Sequence, residues 1–261
     1  MKDIRSYPIY RIKGQGMVLE DDDIVVEYPF TIFIDDEEII TLLCTPKSLK
    51  YLVLGFLYSE GLLEGMESID RIQIHEENGC AYVYLKNANN FFKELQGKRT
   101  ITSGCGKGTV FYNVLDSFKS KKIENKIEIE IDKIKDFMRD FSRKSEIFLL
   151  TGGVHSCGLY DKSGILIFEE DIGRHNALDK ILGQALEKDI DLSDKIILTS
   201  GRISSEIILK VAKRGIPMVV SRSAPTSLAI DIAQELNIGL IGFVRGEKLN
   251  IYNGSIPSSK S

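Results

Sequence analysis

Hydrophobic and polar positions change their period along the chain, and the changes divide it. From Asp23 to Ile34 the residues are mostly β-branched and aromatic, which predicts a strand. Asp35-Asp36-Glu37-Glu38 is a polar turn, and Ile39 to Cys44 predicts the second strand of a hairpin. Pro46 then opens a helix from about Ser48 to Ser59: Leu49, Leu52, Val53, Phe56 and Leu57 recur at helical spacing, and Gly61 stops it. Ile69 to Glu76 and Cys80 to Leu85 predict a second hairpin around Glu77-Asn78-Gly79. The order describes a small α+β unit over residues 1–100.

Residues 101–130 form a connector holding a glycine-rich loop; the charged stretch Lys119 to Lys126 is a solvated surface. A helix returns from Ile131 to Arg143. Strands at Ile147–Leu150, Ile165–Phe168, Lys195–Thr199, Pro217–Val220 and Gly239–Phe243 then alternate with helices at Asn176–Glu187, Ser204–Arg214 and Thr226–Leu236. This alternation predicts an α/β unit over 131–261 with a mainly parallel sheet covered by helices, whose ligands bind beyond the carboxyl ends of the strands.

Composition narrows the function classes. The 261 residues are 43% hydrophobic and 28% charged with net charge −4, enough for one large or two small domains and without the basic footprint of a nucleic-acid binder. The four cysteines lack the dense spacing of a disulfide framework. The N-terminus lacks a signal-peptide apolar stretch, and no run is long enough to span a membrane. A cytoplasmic protein is expected.

Chemistry concentrates in loops. Cys105 sits in Thr102-Ser103-Gly104-Cys105-Gly106-Lys107-Gly108, a segment too glycine-rich for a helix or strand interior. Lys98, Arg99 and Lys107 are near in sequence and favour the thiolate. Cys44, Cys80 and Cys157 lie in or beside apolar runs and are expected to be buried. Four further loops follow predicted strands: Thr151–Ser156, Glu169–Asn176, Thr199–Arg202 and Ser221–Thr226. On a parallel sheet they gather at one edge and bring His155, His175, Arg174, Arg202 and Arg222 together with glycines and hydroxyls. Backbone N–H groups at helix N-termini and guanidinium forks suit a polyanion such as a phosphate-bearing nucleotide. Ser204 and Thr226 are expected to cap helices. His75, within a strand, is expected to be structural.

Familiar motifs are missing. Gly106-Lys107 is followed by Gly108 where a P-loop needs Ser or Thr, and no GxGxxG occurs. Without Cys-x-x-Cys the zinc deaminase signature fails, so no metal site is expected.

Taken together, Thr151–His155, Glu170–Lys180, Thr199–Ser204 and Ser221–Thr226 resemble the FdhD family of formate dehydrogenase accessory sulfurtransferases. So do the closing Gly242-Phe243-Val244-Arg245 and Asn250–Gly254. The resemblance runs from about Tyr28 to Gly254. It implies a sulfurtransferase that carries sulfur from a cysteine desulfurase, as a persulfide on Cys105, to the molybdenum (or tungsten) bis-molybdopterin guanine dinucleotide needed by formate dehydrogenase. It implies a larger domain similar to the cytidine deaminase fold, without its metal, beside the smaller N-terminal α+β domain. The dinucleotide is expected on Ser221, Arg222, Ser223, Ala224, Pro225 and Thr226. Arg174, Arg202 and Arg222 would hold phosphates, and His155 and His175 would orient the ligand or shuttle protons. GDP or GMP would mimic the ligand. Desulfurase and dehydrogenase catalytic subunit are the implied partners, and a homodimer the implied assembly. The family loop commonly carries Cys-x-x-Cys. Here Gly108 replaces the second cysteine, which leaves a one-cysteine carrier. The alternative is a cofactor-binding chaperone with no sulfur chemistry on Cys105.

Overall fold

A computed structural model describes residues 2–86, 122–125 and 127–254. Cys105 and most of the connector lie outside the described residues. The chain starts with a ribbon that the hydrophobic pattern did not announce: β1 (Ile4–Lys13) pairs antiparallel with β2 (Gly16–Val25). The single strand expected from Asp23 to Ile34 is therefore two. Its composition is β-forming throughout, but Val26 N–H closes the ribbon on the Asp3 carbonyl at 2.8 Å, and pairing in a different sheet begins at Tyr28.

That second sheet is four-stranded, in order β4 (Glu37–Cys44), β3 (Tyr28–Ile34), β6 (Cys80–Leu85), β5 (Ile69–His75). Both expected hairpins form, and β3 runs parallel to β6. A short 3₁₀ turn at Glu76–Asn78, with Gly79 at φ 66°, joins β5 to β6 in place of a two-residue turn. Helix α1 (Leu49–Glu60) ends where expected, at Gly61 with φ 77°. Its Leu49, Leu52, Val53 and Phe56 pack on Phe30, Ile32, Ile34, Ala81 and Val83.

The rest builds a six-stranded sheet in order β12 (Lys248–Asn253), β11 (Gly239–Arg245), β10 (Met218–Ser221), β9 (Ile196–Thr199), β7 (His155–Tyr160), β8 (Ile165–Asp171). The sheet is mixed rather than mainly parallel. Only β9, β10 and β11 run parallel; β7, β8 and β12 are antiparallel to their neighbours. The cause is connection length: β7–β8 and β11–β12 are joined by tight turns, too short for the crossover that parallel pairing needs. Strand residues alternate between two cores. Leu159, Ile197, Val219 and Leu240 face α4 (Arg174–Glu187), α5 (Ser205–Lys213) and α6 (Ser227–Glu235). Tyr160, Ile196, Leu198, Val220 and Ile241 face α2 (Ile131–Arg143).

A further correction concerns Ile147–Leu150, expected as a buried strand. It is helix α3 (Glu146–Thr151), and Leu149 and Leu150 are 69% and 60% exposed. A short apolar run has no period that separates the two structures. The deciding contact is remote: the Glu170 carboxylate accepts from Ile147 N–H (3.3 Å) and Phe148 N–H (3.4 Å), holding the first turn of the helix. No helix among the described residues is long and apolar enough to cross a membrane.

The two sheets are joined by α1 against α4. A Cβ on Gly55 would stand 1.6 Å from the Asp179 carbonyl oxygen, and one on Gly183 2.0 Å from that of Tyr51. Backbone meets backbone there, so no rotamer change can make room. Gly55→Ala is expected to lower unfolding free energy by about 3 kcal/mol, at the upper end for overpacking. Equilibrium urea unfolding measures it; a midpoint within error of wild type contradicts this crossing.

Candidate functional site

The edge expected to gather the loops exists: β8 runs in the same direction as β9, and between them lies β7, which reads as loop in the sequence and runs the opposite way. The C-terminal ends of β9, β10 and β11 lie side by side. The antiparallel register places Cys157 opposite Thr199, so His155, at the start of β7, reaches the same edge. His155 also pairs with Asp171, which ends β8 and leads through Gly173 into α4. His155, Arg174, His175, Arg202 and the Ser221–Thr226 loop thus share one rim.

Close approach is built around Gly201. A Cβ there would lie 3.1 Å from Arg174 Cβ and 3.4 Å from His155 Nδ1. Only the missing side chain lets the Arg174 stem and the His155 ring flank the β9–α5 loop. Helix α4 begins at Arg174 with Gly173 as N-cap, and no side chain caps its first turn. Ser204 stands at the N-cap of α5 without a capping bond; its hydroxyl lies 3.4 Å from His175 Nε2. Thr226 does cap α6, accepting from Ala229 N–H at 3.3 Å.

Positive groups outnumber negative ones on this rim. Burial first, and then Arg174, His175 and Arg202, hold the His155 imidazole below its ordinary pKa. Burial and the Arg202 charge likewise press Arg174 down. Of the nearby carboxylates, Glu206 Oε2 lies 3.0 Å from His175 Nε2, and its pKa is held low by that bond. Asp171 is committed to Lys180, 2.6 Å away, both side chains fully buried. Arg174 Nε is buried and has no hydrogen-bond partner among the described residues. An orphaned guanidinium N–H beside a second arginine and two histidines is an acceptor-seeking group.

The Ser221–Thr226 loop divides by role. Ser221 is fully buried; its hydroxyl donates to the Gly201 carbonyl at 2.7 Å and accepts from Ser223 N–H at 2.9 Å. It ties two loops together and presents nothing outward. Arg222, Ser223, Ala224 and Pro225 are half-buried and Thr226 exposed, so they remain available to a ligand. The Arg222 carbonyl accepts from Arg245 Nε at 3.0 Å, and that of Ser223 from Phe243 N–H at 3.1 Å. These contacts bring β11 into the rim, which reasoning from loop composition missed; the signals were the predicted strand Gly239–Phe243 and the Gly242-Phe243-Val244-Arg245 motif of the family resemblance.

The described thiols differ from expectation in one case. Cys44 and Cys157 are buried, but Cys80 is half-buried. Burial pushes the Cys44 thiol up to about 12 and raises that of Cys157 as well, so neither yields a thiolate at neutral pH.

Comparison with known proteins gives this rim a context. Residues 25–256 match the model of the FdhD/NarQ family. A protein of Bacillus pumilus named sulfur carrier protein FdhD is 46% identical over 244 residues, covering 94% of this chain and 93% of the relative. One of the same name from Listeria monocytogenes is 46% identical over 255 residues, covering 97% and 98%. A crystal structure described as that of a formate dehydrogenase accessory protein from Desulfotalea psychrophila superposes with TM-score 0.79 at 26% identity, covering 97% of this chain and 98% of that one. Identity at this level over nearly the whole length, together with the shared fold, means that this chain belongs to the FdhD/NarQ family.

Proposed function

We propose that this protein is a sulfur carrier that holds the molybdenum (or tungsten) bis-molybdopterin guanine dinucleotide on its cationic rim and delivers to it a sulfur borne by Cys105. The observation that carries the binding half is the buried, unpartnered Nε of Arg174, set among Arg202, His155 and His175. The phosphates of a guanine dinucleotide supply the acceptors this cluster lacks. Arg174 and Arg202 meet them at the end of β9, Arg222 at the end of β10. The first turns of α4 and α5 start at this rim without N-cap side-chain bonds, which suits them to an anion.

The sulfur half rests on the family's named role and on chemistry. Thiolate attack by Cys105 on the outer sulfur of a desulfurase persulfide leaves the sulfur on Cys105 and returns the desulfurase thiol. One cysteine suffices for that exchange. Cys44 and Cys157 are unsuited to it, because burial keeps them protonated. The partners in this reading are a cysteine desulfurase and the formate dehydrogenase catalytic subunit, with a homodimer as the working unit.

Intact-mass measurement after incubation with a desulfurase and cysteine tests the carrier. Wild type is expected to gain one sulfur atom and Cys105→Ala none, while the variant still binds GDP. The variant is also expected to lose maturation of the dehydrogenase. No sulfur gain in wild type, or an equal gain in Cys105→Ala, leaves the cofactor-chaperone reading instead.

A further inference from the structure

Phe243 has an unusual backbone. It is not glycine, yet its φ is 54°, the left-handed region that bulky side chains avoid. It sits where the β11–β12 register breaks between Gly242 and Arg245, and among the described residues it joins none of the three hydrophobic cores. Phe243 is 37% exposed while Val244 beside it is 1% exposed. Burial therefore does not account for an aromatic ring held in a strained conformation. Strain of this kind persists where surrounding structure enforces it, and it gathers at ligand sites.

The enforcement is visible. Phe243 N–H donates to the Ser223 carbonyl at 3.1 Å, and Arg245 Nε to the Arg222 carbonyl at 3.0 Å. A Cβ on Gly242 would meet the Ser223 carbonyl oxygen at 3.0 Å and Pro225 Cδ at 3.1 Å. The strained turn is thus locked to the Ser221–Thr226 loop on both sides. The Arg245 guanidinium lies 5.9 Å from the Phe243 ring centroid.

We infer that Phe243 is a stacking platform for the purine base of the bound nucleotide, and so a specificity-determining residue of the rim. This rests on the nucleotide reading above and deepens it. The β9 end, with Arg174 and Arg202, and the β11 end, with Phe243, are two strand spacings apart, about 10 Å. Arg222 and Ser223 lie between them at the end of β10. An extended nucleoside diphosphate covers that span, its phosphates toward Arg174 and its base toward Phe243. A fixed, exposed ring meets a base face without ordering a side chain at the moment of binding.

Titration calorimetry with GDP and with inorganic pyrophosphate, alongside thermal melts, tests the assignment on full-length wild type, Phe243→Gly and Phe243→Trp. Glycine accepts φ 54° without strain, so Phe243→Gly is expected to melt about 2–4 °C higher. It should bind GDP about 10-fold more weakly, the loss of one stacked base, with pyrophosphate affinity unchanged. Phe243→Trp should keep GDP affinity. Equal GDP affinity in Phe243→Gly overturns the platform. So does an equal fall for pyrophosphate, which marks a disturbed loop, or a lower melting temperature, which marks a structural residue. Wild type that binds neither ligand removes the nucleotide reading itself; binding of pyrophosphate without GDP removes the platform alone.

Discussion

Lys180→Ala is expected to lower the unfolding free energy by about 3–5 kcal/mol, the range for removing one partner of a buried ion pair. Its ammonium has no solvent exposure and is fully engaged: 2.6 Å from Asp171 Oδ2, 2.8 Å from Thr45 Oγ1 and 3.3 Å from the carbonyls of Thr45 and Glu170. Removing it leaves the Asp171 carboxylate buried without a cation. The same carboxylate accepts from Thr45 N–H at 3.1 Å and, through Oδ1, from Gly173 N–H and Asn176 Nδ2, both at 2.9 Å. Thr45 belongs to the segment between β4 and α1, and Gly173 is the residue that launches α4. One charge pair therefore pins the small sheet's exit to the turn that sets Arg174 and His175 on the rim. Melting should fall by about 6–20 °C at neutral pH. A second substitution gives a second readout: Asp171→Asn in the Lys180→Met background, which removes the stranded charge, should recover part of the loss. A variant within about 1 kcal/mol of wild type shows that the pair is not structural.

This pair also shows how far the sequence could be followed. Periodicity located α1, α2, α4, α5 and α6, because each carries an apolar stripe beside a recognisable cap or stop. It failed at α3, where Phe148, Leu149 and Leu150 stay exposed on a helix whose start depends on Glu170, far away in sequence. Strand direction was illegible in a different way: β7 reads as a histidine-and-glycine loop, and only pairing with β8 and β9 makes it a strand. The rim was legible by residue type, since arginines and histidines in glycine-rich loops advertise an anion. Its supports were not. Lys180 and Asp179 interrupt an apolar helical run, and their meaning depends on Asp171, Ser59 and Lys210 arriving from other elements. Lys210 Nζ lies 2.8 Å from both Asp179 carboxylate oxygens; against the effect of burial, Asp179 and Glu60 hold its pKa above the ordinary value. Likewise Ser221, which looks like a ligand contact in the sequence, is turned inward to the Gly201 carbonyl.

Arg174→Leu is expected to weaken pyrophosphate and GDP binding by about 10- to 100-fold, the worth of one charge-assisted hydrogen-bonding group to a phosphate. It should do so without loss of stability. Arg174 Nε is desolvated and has no partner among the described residues, and its charge stands near Arg202. Leucine removes both costs while keeping most of the apolar stem that packs against Gly201. A group that destabilises the free protein and is satisfied by ligand marks binding machinery rather than scaffold. The neighbouring His155 adds a pH signature. Its folded pKa is depressed below about 6.5, so the stability it contributes is present above that value and lost as pH falls through the folded pKa. A polyanion reverses the effect of Arg174, His175 and Arg202 and raises the His155 pKa, so binding takes up a proton. Pyrophosphate affinity should therefore tighten from pH 7.5 to 6 more steeply in wild type than in His155→Gln; comparing the two slopes cancels titration of the ligand itself. Calorimetry and thermal melts on the same samples decide it. If Arg174→Leu binds both ligands as wild type does, or melts several degrees lower, Arg174 belongs to the scaffold and the anion must bind elsewhere.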